Sequence, residues 1–327
     1  MSGYPGRNVV DFESPSRISC PAWTPSRILM MKDSSTGTTR TLSQYLYVLP
    51  PVIVIVVFII IPIFYAIDLS FYNVHLIKPR VKFVWLDNYF RIFRNKTFWE
   101  IFYNSIRWMG FGALATLLIG LGLGMFLNLE FRFNSVVRSL IFIPWIMPEV
   151  CAAFAWRWML NSEMGVINEI LKRLNLISHY VAWLAEPNMV LYVCLWVAVW
   201  RIYPFISLMI LATLHGIPRE FYEAGAIDGA NFWQRFCYLT FPQLRYALTI
   251  GALLTVIWLM NSFTTVFILT EGGPLHYSEI LPVLIYKMAF QSYRLSRAAA
   301  LSLINFGILL TFSLLYLWVF RRQWRQV

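Results

Sequence analysis

The sequence predicts an all-α membrane protein with six transmembrane helices and one short polar helix between the fourth and the fifth. Of the 327 residues, 59% are hydrophobic and 13% are charged, whereas soluble domains carry about 25% charged residues. The mean hydropathy is +0.61, and uncharged segments long enough to cross a bilayer recur along the chain. Residues 218–242 form a polar island between two of these segments.

The alternation of polar and apolar segments predicts the domain organisation. Residues 1–40 are rich in Ser, Pro, Gly and Thr and carry both charges, which predicts a polar N-terminal tail. Residues 41–327 form the predicted transmembrane domain. Its spans are expected near 41–67, 108–129, 139–160, 188–214, 246–270 and 298–320.

Two features of the spans and their flanks predict local structure. A run of aromatic and apolar residues before the second span predicts a helix that lies in the membrane interface. These residues are Phe90, Phe93, Phe98, Ile101 and Phe102. The fourth span is expected to be interrupted by Arg201 and Pro204, whereas glycines in the second span allow close helix packing.

Several functional classes are disfavoured by the composition. The four cysteines and four histidines are dispersed, which predicts no disulfide framework, no metal site and isolated histidines. The dipeptide Gly-Lys does not occur, so there is no phosphate-binding loop, and we expect the chain to bind no nucleotide cofactor and to have no catalytic residues. The net charge of +11 is typical of basic residues that flank membrane spans, and does not indicate nucleic-acid binding.

The polar island has the pattern of a short docking helix. Pro218 suits the first turn of a helix, and Glu220 and Glu223 then lie where the helix dipole favours negative charge. A helix of about a dozen residues is roughly 18 Å long, which is too short to cross a bilayer. It can dock in a groove of another protein, or it can be an ordinary amphipathic helix in the membrane interface.

The island also carries a specific resemblance. Residues 223–225 (Glu-Ala-Gly), 228–230 (Asp-Gly-Ala) and 239–242 (Leu-Thr-Phe-Pro) resemble the EAA loop of binding-protein-dependent ABC importer permeases. Residues 142–148 are similar to the Pro- and Trp-rich helix of the same family, and the resemblance extends over about 45–320. Gly225 departs from the family, which usually has Ala at this position.

The resemblance implies a type I ABC importer permease fold of the maltose type, in which the loop forms a cytoplasmic coupling helix inserted into an ATPase subunit. The implied ATPase-coupling residues are Glu220, Glu223, Ala224, Gly225, Asp228, Gly229 and Ala230. ATP and Mg²⁺ would be bound by the ATPase alone. The implied partners are a second homologous permease, an ATPase dimer, an extracytoplasmic solute-binding protein, a saccharide and membrane lipid.

The orientation in the membrane also comes from the resemblance. Lys and Arg residues are equally numerous on the two sides of the predicted spans, so the positive-inside rule does not decide the topology. The arginines that end the sixth span favour ends on the inside. The resemblance implies a multi-pass protein of a bacterial cytoplasmic (inner) membrane with both termini in the cytoplasm.

Two charged residues fall inside predicted spans. Glu149 and Arg201 lie at comparable depths, and a charge in the middle of a bilayer costs at least about 2.5–3.5 kcal/mol. One interpretation is a buried ion pair that fixes helix packing. The other is that Arg201 faces a central cavity and binds an anionic group of the substrate.

In the sugar permeases of the family, the cavity is lined by the helices on either side of the coupling loop. The residues implied to bind substrate are Val197, Arg201, Phe205, Trp258, Asn261, Ser262 and Thr265. Aromatic faces and hydroxyl or amide groups suit a saccharide, although the polar residues can instead join helices. The implied substrate is an oligosaccharide, with an acidic, uronate-containing (alginate-like) sugar as a special case because of Arg201.

Two alternatives come from other functional classes. An ion-coupled secondary transporter or channel would need no ATPase, and it would more often show an internal repeat or paired membrane carboxylates. A membrane-embedded enzyme would need a catalytic cluster. Neither pattern is found in the sequence.

Overall fold

The computed structural model describes residues 47–74 and 81–321. The predicted N-terminal tail and the start of the predicted first span lie outside these residues. The described residues divide into two units, with the boundary between Val57 and Phe58. In the first, residues 47–57 are helical and exposed, and they begin the apolar helix α1 (Tyr47–Ser70).

Long apolar helices dominate the second unit. They are α3 (Lys96–Leu127), α7 (Val190–His215), α9 (Phe232–Met260) and α12 (Leu295–Phe320). With α1, the described residues contain five helices long and apolar enough to cross a membrane. A sixth crossing is available if α4 (Asn134–Ile146) and α5 (Glu149–Met159), which meet at 97°, form one broken span.

Shorter elements connect these helices. Strands β1 (Tyr72–Asn73) and β2 (Lys82–Phe83) pair antiparallel, with Tyr72 opposite Phe83. The short helices are α2 (Asp87–Phe93), α6 (Val166–Arg173), α8 (Arg219–Ile227), α10 (Thr264–Thr270) and α11 (Leu281–Tyr286).

The connection that contains α6 is stabilised by polar side-chain contacts. Asn168 is fully buried, and its Oδ1 accepts hydrogen bonds from the backbone N–H of Val181 (3.2 Å) and from Trp183 Nε1 (2.9 Å). A hydrogen bond from the Tyr180 hydroxyl and the ion pair with Arg173 lower the pKa of the Glu169 carboxyl. The loop is therefore ordered by its own side chains.

The core of the second unit is centred on α7, which packs against α3 more extensively than any other pair of described helices pack together. Glycines on α3 make this approach possible. A Cβ at Gly120 would lie 2.6 Å from Ile206 Cγ2, and one at Gly124 would lie 2.7 Å from Ile210 Cγ2. The predicted role of glycines in this span is therefore confirmed for these two positions.

The predicted interface helix is wrong for the residues that follow Phe93. Phe98 and Ile101 are 2% and 0% exposed and belong to the membrane-length helix α3, whose first turn is capped by Asn95. Charged residues made the N-terminal part of α3 difficult to recognise as a membrane helix in the sequence. Lys96, Glu100 and Arg107 are exposed on one side of the helix, so they interrupt the apolar run without ending the helix.

Three predicted spans also need correction. The third span bends sharply at Met147, which is extended (ψ 134°) because a residue before proline disfavours the helical conformation. The fourth is not interrupted, since α7 continues through Arg201 and Pro204. The fifth begins at Phe232, where Asn231 caps the helix, and ends at Met260 before the separate helix α10.

The glycine packing gives a stability prediction. We expect Gly124→Ala to destabilise the fold by about 1–3 kcal/mol through overpacking, because the new methyl would lie 2.9 Å from the Ser207 carbonyl oxygen. Heat-induced unfolding of the purified chain in detergent would measure the effect. Gly122→Ala is the matched control, since a Cβ there has no neighbour within 4 Å. Equal unfolding temperatures for the two variants would contradict the packing argument.

Candidate functional site

The polar island forms a short, exposed helix. None of the residues of α8 is buried. Pro218 immediately precedes the helix, with φ −58° and ψ 139°. After Asp228, Gly229 adopts a φ of +77°, a left-handed conformation that is easy for glycine. The chain therefore leaves α8 in a defined turn and enters α9.

The predicted coupling residues lie together on this segment. Glu220, Glu223, Ala224, Asp228 and Gly229 are exposed, whereas Gly225 and Ala230 are half-buried. A Cβ at Gly225 would lie 2.9 Å from Leu239 Cδ1 of α9. Glycine at this position gives α8 room beside Leu239, which is a physical reason for the departure from the usual alanine.

Two side-chain contacts join α8 to the rest of the chain. The hydroxyl groups of Tyr222 and Thr240 are 3.2 Å apart. Arg219 Nη2 lies 2.7 Å from Glu130 Oε1, but these side chains are 84% and 86% exposed. Because exposed ion pairs contribute at most about 1 kcal/mol, the position of α8 depends more on Tyr222 and on the contact with Leu239.

A group of large apolar side chains surrounds α8 and the start of α9. We call it the coupling face, and it comprises Phe221, Ile227, Phe232, Trp233 and Tyr238, which are 51–86% exposed. Large exposed apolar residues concentrated in one segment favour a surface that contacts another molecule. The sequence analysis did not single these residues out, although they alternate with the acidic and small residues of the island.

A second site lies inside the helix bundle, where a charged network joins three helices. Arg201 Nη2 of α7 lies 3.4 Å from Glu149 Oε2 of α5, and Thr265 of α10 donates its hydroxyl to Glu149 Oε1 at 2.9 Å. The Arg201 and Glu149 side chains remain 21% and 27% exposed. The ion pair, which was one of the two interpretations of Glu149 and Arg201, is therefore present in the structure, and both side chains remain partly exposed.

This network lies near the middle of a membrane-length helix. Arg201 is the twelfth of the 26 residues of α7, so it lies roughly 17 Å from the start of the helix and 21 Å from its end. Charged groups at this depth face a water-filled cavity or another protein chain, and they mark transport pathways.

Three aromatic rings form another group in the bundle, and one of them, Phe205, lies one helical turn from Arg201 on α7. The ring centroids of Trp145 and Phe205 are 5.0 Å apart, and Trp258 lies 5.1 Å from each of them. We call this group the aromatic triad. Phe205 and Trp258 were predicted site residues, whereas Trp145 was noted only as part of a motif. Its position two residues before the bend at Met147 was the signal available in the sequence.

The other predicted substrate residues do not join these groups. Val197 is 3% exposed and belongs to the core cluster around Trp108. Asn261 is exposed and donates Nδ2 to the Ile257 carbonyl at 2.8 Å, and Ser262 is buried at the break after α9. Trp258 and Thr265 therefore lie on different helices, because α9 ends at Met260 and α10 begins at Thr264.

A further ionic group lies in the connection after α10. Glu279 is 0% exposed, and its Oε2 lies 2.5 Å from His276 Nδ1 and 3.3 Å from Lys287 Nζ. The prediction of isolated histidines is therefore wrong for His276. Within the described residues, no three His, Cys, Asp or Glu side chains form a group that could hold a metal ion.

Together, the bundle and its sites define a multi-pass membrane transport protein. Residues 116–325 match the family of binding-protein-dependent transport system inner membrane components, and the chain belongs to this family. Members are membrane subunits of ABC transport systems, in which the ATPase is a separate subunit. The predicted ABC permease class and the predicted location in the inner membrane are confirmed.

Individual relatives are similar over nearly their whole length. The trehalose/maltose transport system permease protein MalF of Thermococcus litoralis is 32% identical, over 85% of this chain and 94% of its own. The diacetylchitobiose uptake system permease protein DasB of Streptomyces coelicolor is 30% identical, over 91% and 95%.

The fold has also been observed in a solved structure. A chain of a bacterial ABC transporter involved in the import of the acidic polysaccharide alginate superposes with a TM-score of 0.77, at 20% identity, over 87% of this chain and 96% of that chain. The predicted permease fold is therefore confirmed.

Proposed function

We propose that this chain is a membrane-spanning subunit of an ATP-driven importer that moves an oligosaccharide by alternating access. The observation that carries the proposal is the exposed helix α8, placed between two membrane-length helices, of which α7 carries Arg201 and Phe205 and α9 carries Trp258. In this proposal, a movement of α8 would be transmitted through α7 to Arg201 and Phe205 and through α9 to Trp258.

The motor in this proposal is a separate ATPase dimer that binds the coupling face. Apolar side chains would enter a groove of the ATPase, while Glu220, Glu223 and Asp228 would contact its polar rim. ATP and Mg²⁺ would be bound by the ATPase, so this chain would hydrolyse no nucleotide. Both termini and α8 would lie in the cytoplasm.

The remaining partners are a second homologous permease and an extracytoplasmic solute-binding protein. Exposed apolar side chains on α1 and α12 suit contact with lipid and with a second permease. A related solved complex contains an alginate pentasaccharide-bound periplasmic protein together with its transporter, which supports a soluble partner on the outer side.

A saccharide is the substrate class that the interior supports best. Two relatives are named for trehalose/maltose and diacetylchitobiose. Aromatic rings stack on sugar rings, and the half-buried triad supplies aromatic surface, with Phe205 one helical turn from Arg201 on α7. Arg201 suits a carboxylate, and the transporter with the same fold is named for the acidic polysaccharide alginate. We therefore favour a uronate-containing oligosaccharide.

Removal of an aromatic face tests the proposed pathway. We expect Trp258→Ala to weaken uptake of the transported oligosaccharide, with an increase of about tenfold in KM, because a stacking surface is lost. Uptake by proteoliposomes that contain both permeases, the ATPase and the binding protein would measure this. Trp318→Ala is the control, since Trp318 is 70% exposed on α12, far along the chain from the triad. Equal KM values for the two variants would argue against the triad.

The turn after α8 tests the attachment of the motor. We expect Gly229→Val to reduce the ATPase that co-purifies with the chain, because a β-branched residue strains the left-handed turn. Gly229→Asn should retain the ATPase, since asparagine tolerates this conformation. The position is uncrowded, with no atom within 4 Å of a Cβ, so a difference between these variants reports backbone geometry. Equal co-purification would contradict the assignment of α8 as the docking element.

A further inference from the structure

Arg201 has more hydrogen-bonding capacity than the chain uses. Its contact with Glu149 joins Nη2 to Oε2 at 3.4 Å, whereas a charge-assisted hydrogen bond is usually about 2.7–2.9 Å long. The Nε atom is buried and has no partner in the described part of the chain. A guanidinium group offers five donors in a planar fork that matches a carboxylate, and most of that fork is uncommitted.

Glu149 has support that does not depend on Arg201. Thr265 donates its hydroxyl to Oε1 at 2.9 Å. Glu149 is also the first residue of α5, where the helix dipole favours a negative charge. The carboxylate would therefore keep two stabilising interactions if Arg201 turned away from it.

The neighbouring aromatic triad indicates where a ligand would lie. Phe205 follows Arg201 by one helical turn on α7, so the two side chains share a face of the helix. A sugar ring stacked on the triad would place a carboxylate substituent of that ring within reach of the guanidinium. Neither Arg201 nor Glu149 is sealed by the chain, since both side chains are partly exposed.

We propose that the Glu149 carboxylate pairs with Arg201 in the empty transporter. When an acidic saccharide binds, a carboxylate of the saccharide replaces Glu149 as the partner of Arg201. The inference rests on the proposed function and adds a specificity-determining residue to it. Arg201 remains paired in both states, so it is never left as an uncompensated charge in the membrane. Because Glu149 competes for Arg201, it weakens the binding of the acidic substrate and favours its release.

The competition predicts opposite effects for the two partners. Glu149→Gln removes the competing charge but retains the shape, so it should strengthen binding of an acidic saccharide about tenfold. Arg201→Gln should weaken the same binding about tenfold or more. Both variants should change the binding of the acidic saccharide more than the binding of a neutral saccharide of the same backbone.

The experiment uses the purified complex of both permeases and the ATPase. Equilibrium binding would be measured with labelled alginate tetrasaccharide and with the same tetrasaccharide after reduction of its carboxyl groups to alcohols. Co-purified ATPase reports whether each variant assembles. Thr265→Val should weaken acidic binding a few-fold, because Glu149 then depends more on Arg201. Thr255→Val is its matched control, since the Thr255 hydroxyl is buried without a partner among the described residues.

An exchanged pair separates this mechanism from a purely structural ion pair. The double variant Glu149→Arg with Arg201→Glu restores opposite charges, but it moves the cation to α5. The proposal expects it to lose the preference for the acidic probe, and retention of that preference would overturn the inference. So would a Glu149→Gln variant that leaves acidic binding unchanged or weakens both probes equally.

The same binding measurements distinguish a failure of the proposed saccharide function from a failure of the role proposed for Glu149. If the wild-type complex bound neither tetrasaccharide, the proposed saccharide function would fail and the inference with it. If wild type bound both probes but Glu149→Gln had no effect, only the role of Glu149 would be lost. If the Glu149→Gln variant did not assemble with the ATPase, the acidic binding of the Arg201→Gln and Thr265→Val variants would test the role of Glu149.

Discussion

The contrast between α8 and its two neighbours constrains the rest of the structure. α8 is nine residues long and has no buried residue, whereas α7 and α9 are 26 and 29 residues long and strongly apolar. A helix this short cannot span the membrane, so α8 lies at the membrane surface. The position of α8 fixes the side of the membrane on which α7 ends and α9 begins. The acidic, small and apolar residues of the island are therefore presented together to one compartment.

The interior is arranged around breaks in the helices. The chain between α4 and α5 and the chain between α9 and α10 both leave the helical path. The charged network connects the two short helices that follow these breaks to the continuous helix α7. Backbone groups freed at such breaks need polar partners inside a membrane. Irregular backbone, charged side chains and aromatic rings thus occur together near the middle of the bundle.

Sequence patterns were sufficient for the class of fold and for the polar island. Long apolar runs predicted the helices, and the residue pattern within 218–242 predicted the short helix α8. The sequence did not reveal where helices bend or how far they extend. Hydropathy averages over a segment, so it passed over the break at Asn261. It also placed the start of α3 too late, because exposed charges lie on one side of its first turns.

The site was predictable only in part for a related reason. Arg201 and Glu149 could be paired by depth, because a buried charge needs a partner. Thr265 and Trp145 reach their neighbours only after the two breaks turn the chain, and periodicity along one helix does not contain that information. Val197 shares the helical face of Arg201 by spacing, yet it is covered by Trp108 and other core residues from different elements.

The most direct test of the account is the accessibility of Ile227, which is 86% exposed on the coupling face. Ile227→Cys, in a chain whose native cysteines have been replaced, would be treated with a membrane-impermeant maleimide in vesicles of either orientation. The account predicts labelling only in inside-out vesicles, and protection when the ATPase subunit is bound. Labelling from the outer side, or labelling that the ATPase does not change, would contradict the assignment of α8 as the element that receives the motor.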